Sequence, residues 1–204
     1  FIEAGKKHGI SGGTANEYGY SLQQTSDGGY IICGANTSSG DVDAWLIKTN
    51  ASGVMEWEQL FGGSNNDYAY SVQQTTEGGY IVAGYTNSYG AGNYDALIIK
   101  TNALGAQEWQ QTIGGSDSDY SYDIKQITDG GYIAFGYTNS CGAGASDFYL
   151  IRLDSDGGLT VGLHPYNPPI ILTPGTGCGW FRYWAGVDNS AGGCVMTDIW
   201  IEAI

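Results

Sequence analysis

His8 and His164 are the only side chains that would titrate near neutral pH without help from their surroundings. Neither has a serine or cysteine partner visible in the sequence, so a Ser–His–Asp triad would have to be assembled in space. Carboxylates are the better-supplied chemistry, and two of them flanking a glycosidic bond would make a hydrolase. However, Asp27, Glu77 and Asp129 recur at one equivalent place, and Glu17, Asp67 and Asp119 at another. A reaction centre is built once, whereas a turn is built in every copy, so these acids read as turn formers. Asp154-Ser155-Asp156-Gly157 has the oxygen-rich look of part of a calcium loop, which makes Asp154 and Asp156 the candidate Ca²⁺ ligands. The sibling turns Asn50-Ala51-Ser52-Gly53 and Asn102-Ala103-Leu104-Gly105 lack the second acid, which favours a plain turn there too. Gly175-Thr176-Gly177 is no phosphate loop, since no lysine follows it. Catalysis is therefore not expected, and no cofactor is expected beyond that calcium candidate.

Cys33, Cys141, Cys178 and Cys194 contain no C-x-x-C, so neither a zinc ribbon nor a dithiol redox pair is indicated. Cys178 and Cys194 flank one expected hairpin and are the expected disulfide, which would place the protein in an oxidising compartment. Cys33 aligns with Ala83 and Phe135 and is expected to be a buried thiol; Cys141 replaces Tyr89 in a loop. Asn36-Thr37-Ser38 and Asn50-Ala51-Ser52 are glycosylation sequons in expected loops, so Asn36 and Asn50 are candidate acceptors.

These residues are positioned by a repeat. Gly12-Gly13-Thr14 through Tyr20-Ser21 recurs as Gly62-Gly63-Ser64 through Tyr70-Ser71 and as Gly114-Gly115-Ser116 through Tyr122-Asp123. Asp27-Gly28-Gly29-Tyr30-Ile31, Glu77-Gly78-Gly79-Tyr80-Ile81 and Asp129-Gly130-Gly131-Tyr132-Ile133 form a second block. Asp43 to Lys48, Asp95 to Lys100 and Asp147 to Arg152 form a third. Glu56-Trp57 and Glu108-Trp109 form a fourth, whose third counterpart decays to Thr160-Val161.

Each copy reads as four strands. Tyr18, Tyr20 and Leu22 alternate with polar neighbours up to Gln24, and Asp27-Gly28-Gly29 supplies a tight turn. Tyr30 to Ala35 and Ala44 to Ile47 are apolar on both faces, as strands covered on both sides must be. The strand around Met55 to Leu60 mixes Trp57 with Glu56, Glu58 and Gln59, as an outer strand would. The expected fold class is all-β: a propeller-like stack of three four-stranded blades plus a small C-terminal β segment, with a β-prism as the minority alternative.

Gly-Gly-Ser-x-x-Asp-Tyr, Asp-Gly-Gly-Tyr-Ile, Gly-Tyr-Thr-Asn-Ser and Asp-x-x-Leu-Ile-Lys-Thr-Asn-Ala-x-Gly-x-x-Glu-Trp resemble the tandem β-propeller-type repeats of exported bacterial and archaeal surface proteins. The resemblance spans roughly residues 10–160. It implies a propeller architecture and an extracellular or cell-surface location.

Two units are expected, a three-repeat domain over residues 1–161 and an aromatic-rich segment over 162–204. The second follows the Pro-rich break His164 to Pro169 and has strand-like runs at Ile170–Leu172, Gly179–Trp184 and Cys194–Ile204. It is expected to serve as a cap, a fourth sheet or an assembly strand. Three blades do not close a ring, and an open array leaves an apolar face at each end. The candidate assembly or binding residues are therefore Phe1, Ile2, Trp180, Trp184, Trp200 and Ile201. The chain opens on Phe1 with no leader pattern, which is the expectation for a processed or trimmed exported protein, and both ends are candidates for pairing into a sheet.

A net charge of −14, from 21 acids against 7 Lys and Arg, argues against nucleic acid and anionic lipid as partners. No run approaches the roughly 18 apolar residues of a membrane span. The expectation is a secreted, non-catalytic structural protein that works by self-assembly into an oligomer or filament, or by adhesion. The alternative is a carbohydrate-binding module using Tyr and Trp platforms, and a propeller hydrolase comes third.

Overall fold

The computed structural model describes residues 15–140, 145–160, 182–189 and 193–198. Among the described residues every regular element is a strand. β1 (Glu17–Gln24), β2 (Tyr30–Asn36), β3 (Asp43–Thr49) and β4 (Met55–Phe61) form sheet 1. β5 (Asp67–Gln74), β6 (Tyr80–Thr86), β7 (Asp95–Thr101) and β8 (Gln107–Ile113) form sheet 2. β9 (Asp119–Gln126), β10 (Tyr132–Thr138) and β11 (Asp147–Leu153) form sheet 3. Each is an antiparallel meander in chain order. β12 (Arg182–Asn189) and β13 (Gly193–Asp198) pair as a separate hairpin, with β12 lying near β11 and β8.

The glycines and acids of the repeat close its turns. The Gly28 amide donates to the Thr25 carbonyl and the Gly29 amide to Asp27 Oδ1, both at 2.9 Å, and Asp129 repeats the second bond to Gly131 at 3.0 Å. Asp67 and Asp119 accept the Gly63 and Gly115 amides in the same way. Asn50, Asn102 and Asp154 each accept two amides of their own turn, at 2.7–3.0 Å. Asp154 thus does the work of its asparagine siblings.

Every residue of β3 and β7 is buried, as strands apolar on both faces require. The core lies between the sheets. Ile31, Cys33, Ala44 and Leu46 of sheet 1 meet Val72, Tyr80, Val82, Leu97 and Ile99 of sheet 2. Ile81, Ala83, Ala96 and Ile98, on the other face of sheet 2, meet Ile124, Tyr132, Ala134, Tyr149 and Ile151 of sheet 3. Cys33 is the expected buried thiol, and burial pushes its pKa up to about 12. Trp57 and Trp109 add a fastening between sheets. Gly105 and Gly157 have φ of 79° and 84°, and a Cβ on them would lie 2.7 and 2.8 Å from those indoles. Only glycine can hold that turn against the ring.

The expected three four-stranded units are met by two sheets of four strands and one of three. Among the described residues sheet 3 has three strands; after β11 the chain turns back, with a bridge between Leu153 and Leu159 and the Thr160 amide donating to the Arg152 carbonyl at 3.0 Å, and residues 161–181 lie outside the described residues. Two of the expected C-terminal runs overlap the hairpin strands at Arg182–Asn189 and Gly193–Asp198; the run at 170–172 and residues 179–181 and 199–204 lie outside the described residues. Among the described residues the three sheets stack but do not close on one another.

Candidate functional site

Two surfaces stand out from the repetitive core: a row of tyrosines along one edge and the outward face of sheet 3.

β1, β5 and β9 are the edge strands of their sheets, and each carries Tyr-x-Tyr: Tyr18/Tyr20, Tyr68/Tyr70 and Tyr120/Tyr122. Each strand has a bulge whose extra residue is the second tyrosine. A bulge bends its strand and re-aims the side chain. The outcome is an aromatic seam across all three sheets. Tyr20 stacks on Tyr70 with centroids 4.5 Å apart and rings parallel, and Tyr70 meets Tyr122 edge-on at 5.4 Å. Tyr85 of β6 sits edge-on to Tyr120 at 4.8 Å, and its hydroxyl is 3.1 Å from that of Tyr70. Burial, together with neighbouring hydroxyls, raises the pKa of Tyr85 and Tyr122 well above that of a free phenol. The seam therefore stays uncharged and offers ring faces and hydroxyls. It is most open at sheet 1, where Tyr18 and Tyr20 are 48% and 41% exposed and their rings are parallel.

The outward face of sheet 3 carries Ile133, Phe135, Tyr137, Phe148 and Leu150, which register places side by side. Equivalent positions in sheets 1 and 2 are Cys33 and Ala83, Ala44 and Ala96, Leu46 and Ile98, all of them 0% exposed. In sheet 3 Phe135 is 44% and Phe148 71% exposed, with the two rings stacked 6.4 Å apart. At the far end, Leu22 and Leu60 are exposed on sheet 1.

At the turn end opposite the Gly-Gly-Ser loops, a cation pairs with acids in each sheet, buried in sheets 1 and 2 and partly exposed in sheet 3. Lys48 Nζ donates to Asp27 Oδ2 at 2.8 Å, Glu56 Oε2 at 3.0 Å and the Thr49 carbonyl at 2.8 Å. Lys100 repeats this with Glu108 at 2.7 Å, and Arg152 pairs with Asp129. Asp27 is held well below the usual carboxylate range by the Lys48 hydrogen bond first, then by Thr25 and the Gly29 amide. Asp129 is lowered by the Gly131 amide and by Arg152. A depressed folded pKa gives stability that is present above the unfolded value, about 4, and is lost as pH falls through the folded value. Unfolding midpoints should therefore drop on acidification below about pH 4. Asp27→Asn should start lower at pH 7 and lose less; urea melts at pH 7 and pH 3 check this, and parallel losses in the two proteins would refute it.

The candidates from the sequence divide as follows. Asn36 is the last residue of β2 rather than in a loop; it is 7% exposed, and its side-chain oxygen accepts the Ser38 amide. Asn50 opens the turn after β3. Asp154 and Asp156 share one turn, and no cluster of three or more His, Cys, Asp or Glu suited to a metal occurs among the described residues. Trp184 lies on β12 and Cys194 on β13. Phe1, Ile2, Cys141, Cys178, Trp180, Trp200 and Ile201 lie outside the described residues, as do both chain ends. The two phenylalanines of sheet 3 and the cross-sheet tyrosine seam were not anticipated. The repeat alignment carries the signal for the first, since Phe135 and Phe148 stand where the second copy has Ala83 and Ala96.

No protein-family model matches the chain, and a search of curated proteins finds no significant match.

Proposed function

We propose that this is a non-catalytic, extracellular structural protein of the exported repeat type, whose sheets are consecutive propeller-like blades and whose work is association through its end faces. The observation that carries this reading is the outward face of sheet 3. The positions that are sealed between sheets elsewhere are apolar and open there, and two of them have grown from Ala or Cys to Phe. Apolar surface of this kind at an open sheet face marks an interaction surface. The partner is a second copy or the surface to which the protein adheres.

Sedimentation velocity over a concentration series tests it. The parent protein should associate as concentration rises. Phe148→Asp, a change at an exposed position that costs little stability, should raise the dissociation constant by about tenfold or more. A parent chain that stays monomeric throughout, or a variant that associates equally well, would overturn the proposal.

A second reading is supported by the exposed, parallel Tyr18 and Tyr20 rings, a geometry suited to stacking on sugar faces. Glycan-array binding that is lost in Tyr20→Ala would favour it.

A further inference from the structure

We propose that the cleft between sheets 2 and 3, at the Asp-Gly-Gly turn end, is a binding site for a small organic cation, an alkylammonium group. The cleft has a volume of about 440 Å³, within the size range of small-molecule sites. Trp109 forms its aromatic wall, braced by Tyr132 at 5.7 Å and by the Gly157 turn. Glu77, Glu108 and Asp156 line it, against Lys100 as the only cation among the described lining residues.

Lys100 does not neutralise this set. Its side chain is 5% exposed, and its ammonium donates to Glu108 at 2.7 Å and to the Thr101 carbonyl at 3.1 Å. Glu77 stands 3.9 Å away, whereas Asp27, its equivalent in sheet 1, reaches Lys48 at 2.8 Å. Three carboxylates against one ammonium leave two negative charges beside an indole. An indole lining a cleft whose carboxylates outnumber its cation is the chemistry that recognises an alkylammonium, through the ring and through charge.

The repeat makes the specialisation visible. Trp57, Lys48 and Glu56 occupy the same positions one interface earlier, where the covering turn is Asn102-Ala103-Leu104-Gly105. Over Trp109 the turn is Asp154-Ser155-Asp156-Gly157. The turn itself is held by Asp154, so Asp156 is not needed to close it. A fastening common to both interfaces carries an acid at one of the two turn residues, Ser155 and Asp156, that line the cleft.

Choline and Nα-acetyl-lysine methylamide, titrated by calorimetry and by NMR shifts of the Trp109 indole, distinguish a free quaternary ammonium from a peptide side chain. At least one should bind saturably with a Kd of about 1 mM. The uncharged choline isostere 3,3-dimethylbutanol should bind at least about tenfold more weakly. Asp156→Asn should weaken the cation by about threefold or more, while Asp117→Asn, in a distant loop, should leave it unchanged. Four results would overturn the proposal: no saturable binding of either cation up to about 50 mM, the neutral isostere or glucose binding as tightly as the cation, an unaffected Asp156→Asn, or an equal loss in Asp117→Asn.

Discussion

Gly34→Ala should cost the protein at least about 3 kcal/mol, while Gly19→Ala, its direct partner across the ladder, should change stability by less than about 1 kcal/mol. The two glycines face each other in the β1–β2 register. A Cβ on Gly34 would lie 1.7 Å from the Tyr18 carbonyl oxygen and 3.1 Å from the Gly19 Cα, so backbone must move. A Cβ on Gly19 meets nothing nearer than Ile32 Cγ2 at 4.0 Å. The cause is the bulge between Gly19 and Ser21, which folds the edge strand onto its neighbour. Gly84 and Gly136 make the same 1.7 Å approach to Tyr68 and Tyr120. These glycines are therefore what allows the bulge, and with it the tyrosine seam. Urea unfolding of both variants checks the pair; equal stabilities would remove the link between glycine and bulge.

The second large effect is positional. Ile98→Ala should destabilise by about 2–5 kcal/mol, and Leu150→Ala, at the equivalent position of sheet 3, by roughly half of that or less. Ile98 is 0% exposed in the layer between sheets 2 and 3, so its deletion leaves a cavity. Leu150 is half-buried on the outward face, where solvent fills the gap. Measured at dilution, equal losses would mean that the outward face is covered within the chain itself.

The three copies, the hairpin turns at Gly28, Gly78 and Gly130, and the fully buried β3 and β7 were legible because each is enforced locally, by φ > 0 at a glycine or by unbroken apolar runs. The three-stranded extent of sheet 3 among the described residues was half legible. The loss of the Glu-Trp pattern at Thr160-Val161 is plain in the sequence, but what lies beside β11 depends on long-range pairing. The tyrosine seam was not legible. Tyr18 and Tyr20 read as simple alternation, and only the bulge and the stacking of three edge strands bring Tyr20, Tyr70 and Tyr122 together. Likewise Asp27 reads as a turn acid, and it is one, but its hold on Lys48 comes from 21 residues away.

The most direct test of association through the outward face is hydroxyl-radical labelling of Phe148 across a concentration series, with Leu104, 74% exposed on a turn, as the internal standard. Phe148 should label readily in dilute solution and become protected as the protein concentrates, while Leu104 stays constant. Labelling of Phe148 that does not change with concentration, whether high or low, would contradict an interface there.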